Sequence, residues 1–300
     1  MNGTIRKIAL TWFERLDRRN VLRILPDKTY LKILYRLKLN KRLDLKNPAN
    51  FNEKLQWLKL YDRNPLYTRM VDKNLVKEYV ANLIGENYII PTLGVWNSFD
   101  EINFDFLPNQ FVLKCTHDSG GLVICRDKRN FDFESAKKKI EQCLKKNYYW
   151  RGREWPYKNI VPRIVAEKYM QDGDSEVLPV YKFLCFGGKA TIVQTIQNDK
   201  TPNETIDYFD REWNLLELRQ NYPNSPNPLK KPDKFEKMLE IADYLAKERK
   251  SFIRVDLFFI NGNIYFSEFT FFSDSGTANF YPNSWDEYLG NMINLPRDAQ

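Results

Sequence analysis

The strongest constraint on the fold is a β-hairpin signal in residues 251–276. Two runs of alternating residues lie on either side of Asn261-Gly262-Asn263, and Asn-Gly between such runs is typical of a tight hairpin. A loop centred on Gly262 places Asp256 directly opposite Glu268. Because like charges in that relation destabilise a sheet, the pair indicates a cation between the two carboxylates. A hard ion such as Mg²⁺, with phosphate as its other partner, suits such a site.

The same register defines a charged face of the hairpin. It pairs Arg254 with Thr270, and the alternation on the second strand puts Phe266, Glu268 and Thr270 on one face. The alternative is an ordinary solvated face of an antiparallel sheet, whose charges need no partner.

Length and composition bound the class of protein. The 300 residues are 43% hydrophobic and 29% charged, which is typical of a globular chain with a large core or with two lobes around a cleft. The net charge of +8 favours anionic partners: nucleotides, acidic sugars, nucleic acid or an anionic membrane surface.

Several kinds of site and location are excluded. His117 is the only histidine, so a His-rich metal site is excluded, and the four cysteines have no CxxC spacing that would indicate zinc or a disulfide framework. No run approaches the ~18 apolar residues that a membrane span needs, and the first residues lack the apolar core of a signal peptide. We therefore expect a cytoplasmic protein.

Residues 1–25 contain an amphipathic helix pattern. Its apolar stripe is formed by Ile5, Ile8, Ala9, Trp12, Phe13 and Leu16, and its basic flanks by Arg6, Lys7, Arg15, Arg18 and Arg19. A basic amphipathic helix can lie on an anionic membrane, which predicts peripheral association with the inner membrane face. The alternative is that the stripe packs on its own domain.

The rest of the chain predicts helices interspersed with antiparallel strands. Helices are expected over 51–60, 64–83, 132–144 and 232–245, and strands over 111–115, 122–125, 164–170, 181–186 and 190–195, followed by the hairpin. Hairpins with interspersed helices predict an α+β fold and not a doubly wound parallel sheet.

Two lysines interrupt predicted strands. Lys114 follows the apolar run 111–113, and Lys182 lies between Tyr181 and Phe183. A lysine in the core of a strand is costly unless it meets an anion. The alternative for each is that its ammonium group reaches solvent from an exposed face.

A glycine-rich loop follows the first of these lysines. Ser119-Gly120-Gly121 joins two predicted strands, and its backbone N–H groups are suited to cradling phosphate. It is not a P-loop, because GxxxxGK[ST] is absent and the loop does not open a helix. Together with Lys114, Lys182 and the two-carboxylate hairpin, it predicts a site for a nucleoside triphosphate and Mg²⁺.

The order of these motifs resembles the ATP-grasp superfamily. In that pattern a strand lysine precedes a glycine-rich flap, an acidic hinge strand, a second lysine and a closing R-x-D…E-x-N. The corresponding residues are Lys114, Ser119-Gly120-Gly121, Glu167-Lys168-Tyr169-Met170, Lys182 and Arg254-Val255-Asp256…Glu268-Phe269-Thr270. The resemblance implies two lobes of antiparallel sheet and helices around an ATP–Mg²⁺ cleft, with a helical extension at 1–50 and a catalytic region at 51–300. Within that region it implies a nucleotide lobe at about 106–180 and a metal-binding lobe at about 181–300.

The resemblance also implies a role for each matching residue. The backbone from Lys168 through Tyr169 to Met170 would hold adenine, with Glu167 near its amino group and Asp174 or Glu176 near the ribose. The residues implied at the phosphates are Lys73, Lys114, Lys182 and the flap residues Ser119, Gly120 and Gly121. Arg254 and Lys182 would be catalytic, with Arg254 stabilising the transferring γ-phosphoryl group. Asp256 and Glu268 would bind Mg²⁺. Thr270 replaces the asparagine of the pattern, so the third ligand would be its hydroxyl or a water that it holds.

The flanking segments are similar to the TupA-like branch, which is associated with teichuronopeptide and capsular-polysaccharide synthesis. The matching motifs, within about 26–290, are Asn52-Glu53-Lys54-Leu55-Gln56-Trp57, Asp72-Lys73, Tyr148-Tyr149-Trp150, Arg151-Gly152-Arg153-Glu154-Trp155-Pro156-Tyr157 and Tyr181-Lys182-Phe183. The aspartate that usually precedes the Tyr-Lys pair is Val180 here.

The segment 148–157 combines five aromatic residues with Arg151 and Arg153. Aromatic faces stack on sugar rings and guanidinium groups clamp carboxylates, so an acidic glycan is its predicted ligand. The alternative is a structural lid. His117 and Ser275 are also assigned to the substrate, although a loop histidine is equally expected to be simply solvated.

These observations predict an ATP- and Mg²⁺-dependent carboxylate–amine ligase of cell-surface polysaccharide synthesis. It would act through an acyl phosphate on an acidic sugar or amino acid, with the flap excluding water. A glycan kinase and a glycosyltransferase are the alternative enzymes. A basic nucleic-acid-binding protein is a more distant alternative, since no nucleic-acid-binding motif is present.

Overall fold

The computed structural model describes residues 3–118, 120–173, 178–199 and 201–296. The α-helices of these residues are α1 (Gly3–Arg18), α2 (Asp27–Leu39), α3 (Phe51–Tyr61), α4 (Leu66–Val71), α5 (Leu75–Ile84), α6 (Phe133–Leu144), α7 (Phe235–Ala246) and α8 (Ser284–Asn291). The strands are β1 (Thr92–Trp96), β2 (Phe111–Cys115), β3 (Leu122–Cys125), β4 (Ile164–Lys168), β5 (Val180–Phe186), β6 (Lys189–Gln197), β7 (Thr205–Phe209), β8 (Phe252–Ile260) and β9 (Asn263–Thr270).

The strands form two antiparallel sheets. The smaller has the order β1-β4-β2-β3, and the larger has the order β7-β6-β5-β8-β9. Each has its own hydrophobic cluster; the smaller cluster packs α6 on the four-stranded sheet through residues such as Leu113, Ile140 and Ile164. This arrangement confirms the predicted α+β fold with two sheets and a helical N-terminal part. The division at residue 50 stays a prediction.

The N-terminal helices share the core of the larger sheet. Phe13, Tyr30 and Leu34 belong to the same hydrophobic cluster as Phe183 and Phe252. Of the predicted apolar stripe, Phe13 is buried, whereas Ile5, Ile8 and Trp12 are exposed, so the stripe packs on its own protein only in part. Among the described residues, no helix is both long and apolar enough to cross a membrane.

The predicted hairpin is present, with a turn one residue shorter than expected. Ile260 pairs with Asn263, so the loop contains only Asn261 and Gly262, and is not centred on Gly262. Their φ angles are 47° and 73°, as a type I′ turn requires at both central positions.

A β-bulge at Ser267 corrects the register beyond the turn. The pairing shifts by one residue between Leu257–Phe266 and Asp256–Glu268, which leaves Ser267 without an opposite residue. The two carboxylates therefore lie opposite each other, as predicted. The prediction that Phe266 shares their face is wrong: Phe266 is buried and packs on Phe269, with ring centroids 4.8 Å apart, because the bulge reverses the alternation.

The helix expected over 64–83 is two helices, α4 and α5. The Oδ1 atom of Asp72 accepts from the backbone N–H groups of Asn74 and Leu75, at 2.9 and 3.0 Å, which satisfies these donors outside a continuous helix. The break puts Lys73 in a turn. Its N–H group donates to the carbonyl of Thr116 at 3.0 Å, so the turn is attached to the loop after β2.

Candidate functional site

The two carboxylates of the hairpin share one guanidinium group. Asp256 and Glu268 are opposite each other on β8 and β9, and Thr270 is opposite Arg254. Arg254 donates from Nε and Nη2 to the two oxygens of Asp256, both at 2.7 Å. Its Nη2 lies 3.6 Å from Glu268 Oε1. The like-charged pair is therefore bridged by a cation of the protein itself.

The two carboxylates differ in exposure. The Asp256 side chain is 2% exposed and that of Glu268 is 40% exposed. Burial raises the pKa of Asp256 against the opposing effect of Arg254 and Lys182. Burial acts in the same direction on Glu268, but Lys73, Arg254 and Lys182 outweigh it and lower its pKa. Glu268 is thus the more readily ionised and the more accessible oxygen donor.

Lys182 lies on β5 directly opposite Asp256 of β8. Burial, and then the positive charge of Arg254, lower its pKa. Among the described residues, no side chain forms a hydrogen bond or an ion pair within 4.0 Å with its ammonium group. Asp256, Glu268 and Asp274 attract this half-buried cation from a distance, and an anion in direct contact with the ammonium group would stabilise it further.

Glu167 on β4 organises two lysines. Its Oε2 lies 2.5 Å from Lys114 Nζ, and its Oε1 lies 2.7 Å from Lys77 Nζ. Burial alone would raise the pKa of Glu167, but the two ammonium groups lower it to about 2. Lys114 is therefore held by an ion pair and does not simply reach solvent. The sequence analysis did not identify Lys77. Its position beside the apolar residues of α5 is the only feature of the sequence that could have pointed to it.

Lys73 connects the turn between α4 and α5 to the hairpin. Its Nζ lies 3.7 Å from Glu268 Oε2. The positive charges of Arg254, Lys182 and Lys114 also lower the pKa of Glu268. Four predicted cationic side chains thus surround one predicted metal ligand.

The flap is the loop between β2 and β3. The N–H group of Cys115 donates to the carbonyl of Gly121 at 2.8 Å, and that of Leu122 to the carbonyl of Gly120 at 3.0 Å. A Cβ atom on Gly121 would lie 2.7 Å from Cys115 Sγ, whereas one on Gly120 would meet nothing closer than 3.5 Å. Packing against Cys115 therefore requires a glycine at position 121 but not at position 120. Ser119 lies outside the described residues.

Strand β4 ends at Lys168, two residues before the predicted end of the strand at Met170, and the predicted hinge backbone runs from Lys168 to Met170. The N–H group of Lys168 donates to the carbonyl of Pro91 at 3.0 Å. Within the described part of the chain, the N–H groups of Tyr169 and Met170 have no hydrogen-bond acceptor, so they remain available to a ligand. The predicted ribose contacts, Asp174 and Glu176, lie outside the described residues.

The hairpin turn holds the segment after the hinge. Asn261 Nδ2 donates to the carbonyl of Gln171 at 2.8 Å, and Asn261 Oδ1 accepts from the N–H group of Gly173 at 3.2 Å. The N–H group of Asn261 donates to Asp172 Oδ1 at 2.7 Å. The segment that directly follows the hinge is therefore attached to the carboxylate hairpin.

Arg153 is used by the fold. It is 1% exposed, its Nη2 donates to the carbonyl of Leu22 at 2.8 Å, and its guanidinium lies 4.3 and 4.5 Å from the ring centroids of Tyr30 and Trp150. These contacts do not fit the predicted role in substrate binding, and Arg153 is reassigned to attaching segment 148–157 to the N-terminal helices. Arg151 is exposed.

Ser275 belongs to a buried polar cluster with Lys59 and Glu154. Lys59 Nζ donates to the hydroxyl and the carbonyl of Ser275, at 2.8 and 2.9 Å, and to the carbonyl of Gly152 at 2.8 Å. Burial lowers the pKa of Lys59 to about 8 and raises the pKa of Glu154. The hydroxyl of Ser275 thus already has a partner within the protein.

One face of α3 explains the motif at 52–57. Asn52, Gln56 and Lys59 follow one another at helical spacing, and all are buried. Asn52 Nδ2 donates to the carbonyl of Ala278 at 2.9 Å, and Gln56 Nε2 donates to that of Gly276 at 2.7 Å. This polar face fixes the loop that follows β9. The sequence gives the motif but not its partners, because those lie more than 200 residues away.

The loop after β9 has an unusual backbone. Asp274, Ser275 and Gly276 have φ angles of 48°, 52° and 60°, three left-handed residues in succession. Non-glycine residues adopt this conformation at an energetic cost, and such strain concentrates at functional sites. Asp274 is exposed, and the positive charges of Arg254 and Lys182 act on its carboxylate. Sequence analysis missed Asp274 because its position depends on the α3 contacts.

His117 is buried in the smaller lobe, which consists of the four-stranded sheet and the helix α6 packed on it. Its Nε2 donates to the backbone of α6 and the turn after it, 3.2 Å from the carbonyl of Cys143 and 2.9 Å from that of Lys146. Its Nδ1 has no partner among the described residues. Neither a solvated loop histidine nor an exposed acid or base fits this environment. Within the described residues, no group of three or more His, Cys, Asp or Glu side chains could hold a metal ion.

The chain is similar to proteins of one family and to several solved structures. The sequence model of the family described as TupA-like ATPgrasp matches residues 53–294. No curated protein matches. Similar solved structures include a D-alanine–D-alanine ligase from Bacillus anthracis, with 18% identity, a TM-score of 0.44, and coverage of 82% of this chain and 69% of that chain.

Two further solved structures have similar sequence identities and TM-scores. An L-amino acid ligase from Bacillus licheniformis has 14% identity and a TM-score of 0.44, over 84% of this chain and 55% of that chain. The VanG D-Ala:D-Ser ligase from Enterococcus faecalis has 14% identity and a TM-score of 0.43, over 80% of this chain and 61% of that chain. This chain therefore spans little more than half the length of these two ligases. At this level of similarity, the solved structures carry no argument about what this chain binds.

Proposed function

This chain belongs to the TupA-like ATP-grasp family, and we propose that it is an ATP- and Mg²⁺-dependent ligase that joins a carboxylate to an amine. The γ-phosphoryl group of ATP would pass to the substrate carboxylate, with release of ADP. The amine nitrogen would then attack the acyl carbon and lose a proton, so that phosphate leaves and an amide forms. The observation that carries the proposal is the cluster of cationic side chains around Asp256 and Glu268.

The nucleotide fits the residues that lack partners of their own. Lys182 forms no direct ion pair among the described residues, and a phosphate group of ATP would supply an anion in contact with it. Lys114 is held by Glu167, and Lys73 is attached through its backbone to the flap at Thr116. Both ammonium groups would assist in binding the phosphates. The N–H groups of Tyr169 and Met170 would bind the adenine edge. This assignment keeps the predicted residues and adds Lys77 as a residue that positions Glu167.

Mg²⁺ fits Asp256 and Glu268, with Thr270 beside them. Two carboxylates are few for an all-protein site, but Mg²⁺ is commonly bound by one or two carboxylates together with phosphate oxygens. When bound, the ion would neutralise charge on the phosphoryl groups. Arg254 would keep Asp256 in place through its two hydrogen bonds and contribute positive charge for the transferring group.

The acceptor side is proposed to lie along the strained loop and the exposed end of segment 148–157. Asp274 supplies a carboxylate that would attract the ammonium form of an amine, and Arg151 a cation for an acidic sugar or amino acid. Ser275 would contribute through its backbone, since its hydroxyl is held by Lys59. We propose cell-surface polysaccharide synthesis as the setting and the cytoplasm as the location.

The test is an assay of nucleotide products with a panel of uronic acids, amino acids and amines. The proposed ligase gives ADP, phosphate and an amide only when carboxylate, amine, ATP and Mg²⁺ are all present. The variant Glu268→Gln is the control for contaminating ATPases. AMP as the product would contradict the mechanism. ADP with a phosphorylated sugar and no need for an amine would mean a glycan kinase, and consumption of a sugar nucleotide without ATP a glycosyltransferase.

A further inference from the structure

The outward face of α1 exposes three large apolar side chains. Ile5, Ile8 and Trp12 are 58%, 55% and 57% exposed, and their spacing of three and four residues puts them on one side of the helix. Scattered single apolar residues are normal on a surface, but an ordered stripe of this kind marks an interaction site.

A second face of α1, which packs on the protein, fixes the orientation of this stripe. Phe13 is buried, with its ring centroid 5.2 Å from that of Tyr30 of α2. Arg6 Nη1 donates to the carbonyl of Lys38 at 2.8 Å. Because both contacts anchor the inner face, the outer residues are not free to turn inward and bury themselves on the protein.

Acidic side chains are turned away from the same face. Glu14 pairs with Lys38 of α2 at 2.6 Å, and Asp17 is partly buried beside Tyr30. Arg15, Arg18 and Arg19 are exposed around the last turn. The guanidinium of Arg15 lies 5.6 Å from the centroid of the Trp12 ring, so the basic and apolar groups are adjacent.

The N-terminal part of the chain carries the net charge of the whole protein. Its first 50 residues contain 13 Lys and Arg against 4 Asp and Glu, a net charge of +9, whereas all 300 residues sum to +8. The remaining 250 residues are therefore nearly neutral overall. The anionic partner of this surface need not be the nucleotide, whose proposed site lies in that nearly neutral part.

We propose that the outward face of α1 docks on an anionic lipid bilayer. Ile5, Ile8 and Trp12 would enter the boundary between headgroups and acyl chains, and Arg15, Arg18 and Arg19 would contact the headgroups. Three apolar side chains bury too little area for firm attachment, so the attraction of the basic residues is required and the docking is reversible and salt-dependent. The proposal is independent of the reaction proposed above.

The test is sedimentation of the full chain with two kinds of vesicle, pure phosphatidylcholine and a 7:3 mixture of phosphatidylcholine and phosphatidylglycerol. We expect binding to the mixed vesicles that falls as NaCl rises from ~50 mM to ~500 mM, and much weaker binding to the neutral ones. Since each basic residue near an anionic surface contributes about 1 kcal/mol, the triple variant Arg15→Gln, Arg18→Gln and Arg19→Gln should bind on the order of 100-fold more weakly.

The double variant Ile8→Ser and Trp12→Ser should lose at least about tenfold in binding, while its thermal unfolding stays that of the parent because both side chains are exposed. Phe106→Ser is the matched control, since Phe106 is 87% exposed in the smaller lobe, and it should bind vesicles as the parent does.

Three outcomes would overturn the proposal. Equal binding of the parent to neutral and anionic vesicles is the first. Binding that survives the double variant and falls only with the charge variant is the second, and it would mean that the vesicles are bound by charge alone, without insertion of the apolar side chains. The third is absence of vesicle binding together with a sedimentation coefficient that rises with protein concentration, which would mean that the face docks on a second copy of the chain.

Discussion

Arg254 and Asp256 lie two residues apart on β8, and two hydrogen bonds of 2.7 Å join the guanidinium of one to both carboxylate oxygens of the other. Residues two apart on a strand share a face, which is why the pair can form within one strand. Asp256 is buried and depends on this pairing, whereas Glu268 opposite it is 40% exposed. The two proposed metal ligands therefore differ in what their loss does to the fold.

We expect Glu268→Gln to reduce turnover at least about 100-fold with little change in stability. Asp256→Asn should lose turnover and also about 2 kcal/mol of unfolding free energy, because it weakens a buried charge-assisted pair. ADP release and urea unfolding measure the two effects, with the exposed Glu287→Gln as the control. Normal turnover of either variant at saturating Mg²⁺ would contradict the metal assignment.

Lys182→Met should weaken ATP binding without weakening the fold. Methionine keeps the apolar stem, and it removes a cation that forms no direct ion pair among the described residues, although Asp256, Glu268 and Asp274 attract it from a distance. We expect the Kd of a non-hydrolysable ATP analogue to rise at least about tenfold, the loss of one charged hydrogen bond, and the unfolding free energy to stay equal or increase. The exposed Lys189→Met is the matched control. Unchanged affinity in Lys182→Met would show that this lysine does not contact phosphate.

Acid should weaken the smaller lobe through Glu167. The two lysines hold its folded pKa at about 2 against the effect of burial, while the usual value is 4.5. Because the folded pKa is the lower one, its contribution is complete well above pH 4.5 and is lost as the pH falls toward 2. Between pH 6 and pH 3 the parent should lose about 2 kcal/mol more than Glu167→Gln in urea unfolding. Parallel pH dependence of the two proteins would disprove the low pKa.

The two flap glycines should respond differently to alanine. A methyl group on Gly121 would lie 2.7 Å from Cys115 Sγ and 3.1 Å from Cys143 Cβ, whereas on Gly120 it would meet only Asp118 oxygens at 3.5 Å or more. We expect Gly121→Ala to cost about 1–3 kcal/mol in thermal unfolding, as overpacking does, and Gly120→Ala to be nearly neutral. If the two variants unfold alike, the packing of the flap on β2 and α6 is not what requires Gly121.

Local signals account for what the sequence predicted well. Asn261-Gly262 forces a tight turn, and the alternation of β8 then fixes which of its residues face the core. No comparable sequence signal predicts the bulge at Ser267, because the bulge depends on Phe266 and Phe269 both packing in the core. The predicted pairing of Asp256 with Glu268 is confirmed, because the shorter turn shifts the strand register by one residue and the bulge shifts it back.

Contacts between distant segments account for what was missed. Lys77 meets Glu167 across 90 residues, and Lys59 meets Ser275 across more than 200. Asp274 gains its position only through the α3 helix. Aromatic and basic residues are typical both of a glycan-binding site and of a buried arginine that stacks on aromatic rings. Composition alone therefore could not show that Arg153 in segment 148–157 has the second, structural role.

Arg151 and Arg153 now have opposite expected phenotypes. Arg153→Gln removes a buried guanidinium that stacks on Tyr30 and Trp150 and bonds to Leu22, so it should cost about 3 kcal/mol of unfolding free energy. Arg151→Gln removes an exposed cation and should leave stability unchanged while raising the acceptor KM roughly tenfold or more, with ATP binding intact. Steady-state kinetics on the acceptor found in the substrate panel, together with urea unfolding, separate the two. A rise in KM for ATP as well as acceptor in Arg151→Gln would instead make the whole segment structural.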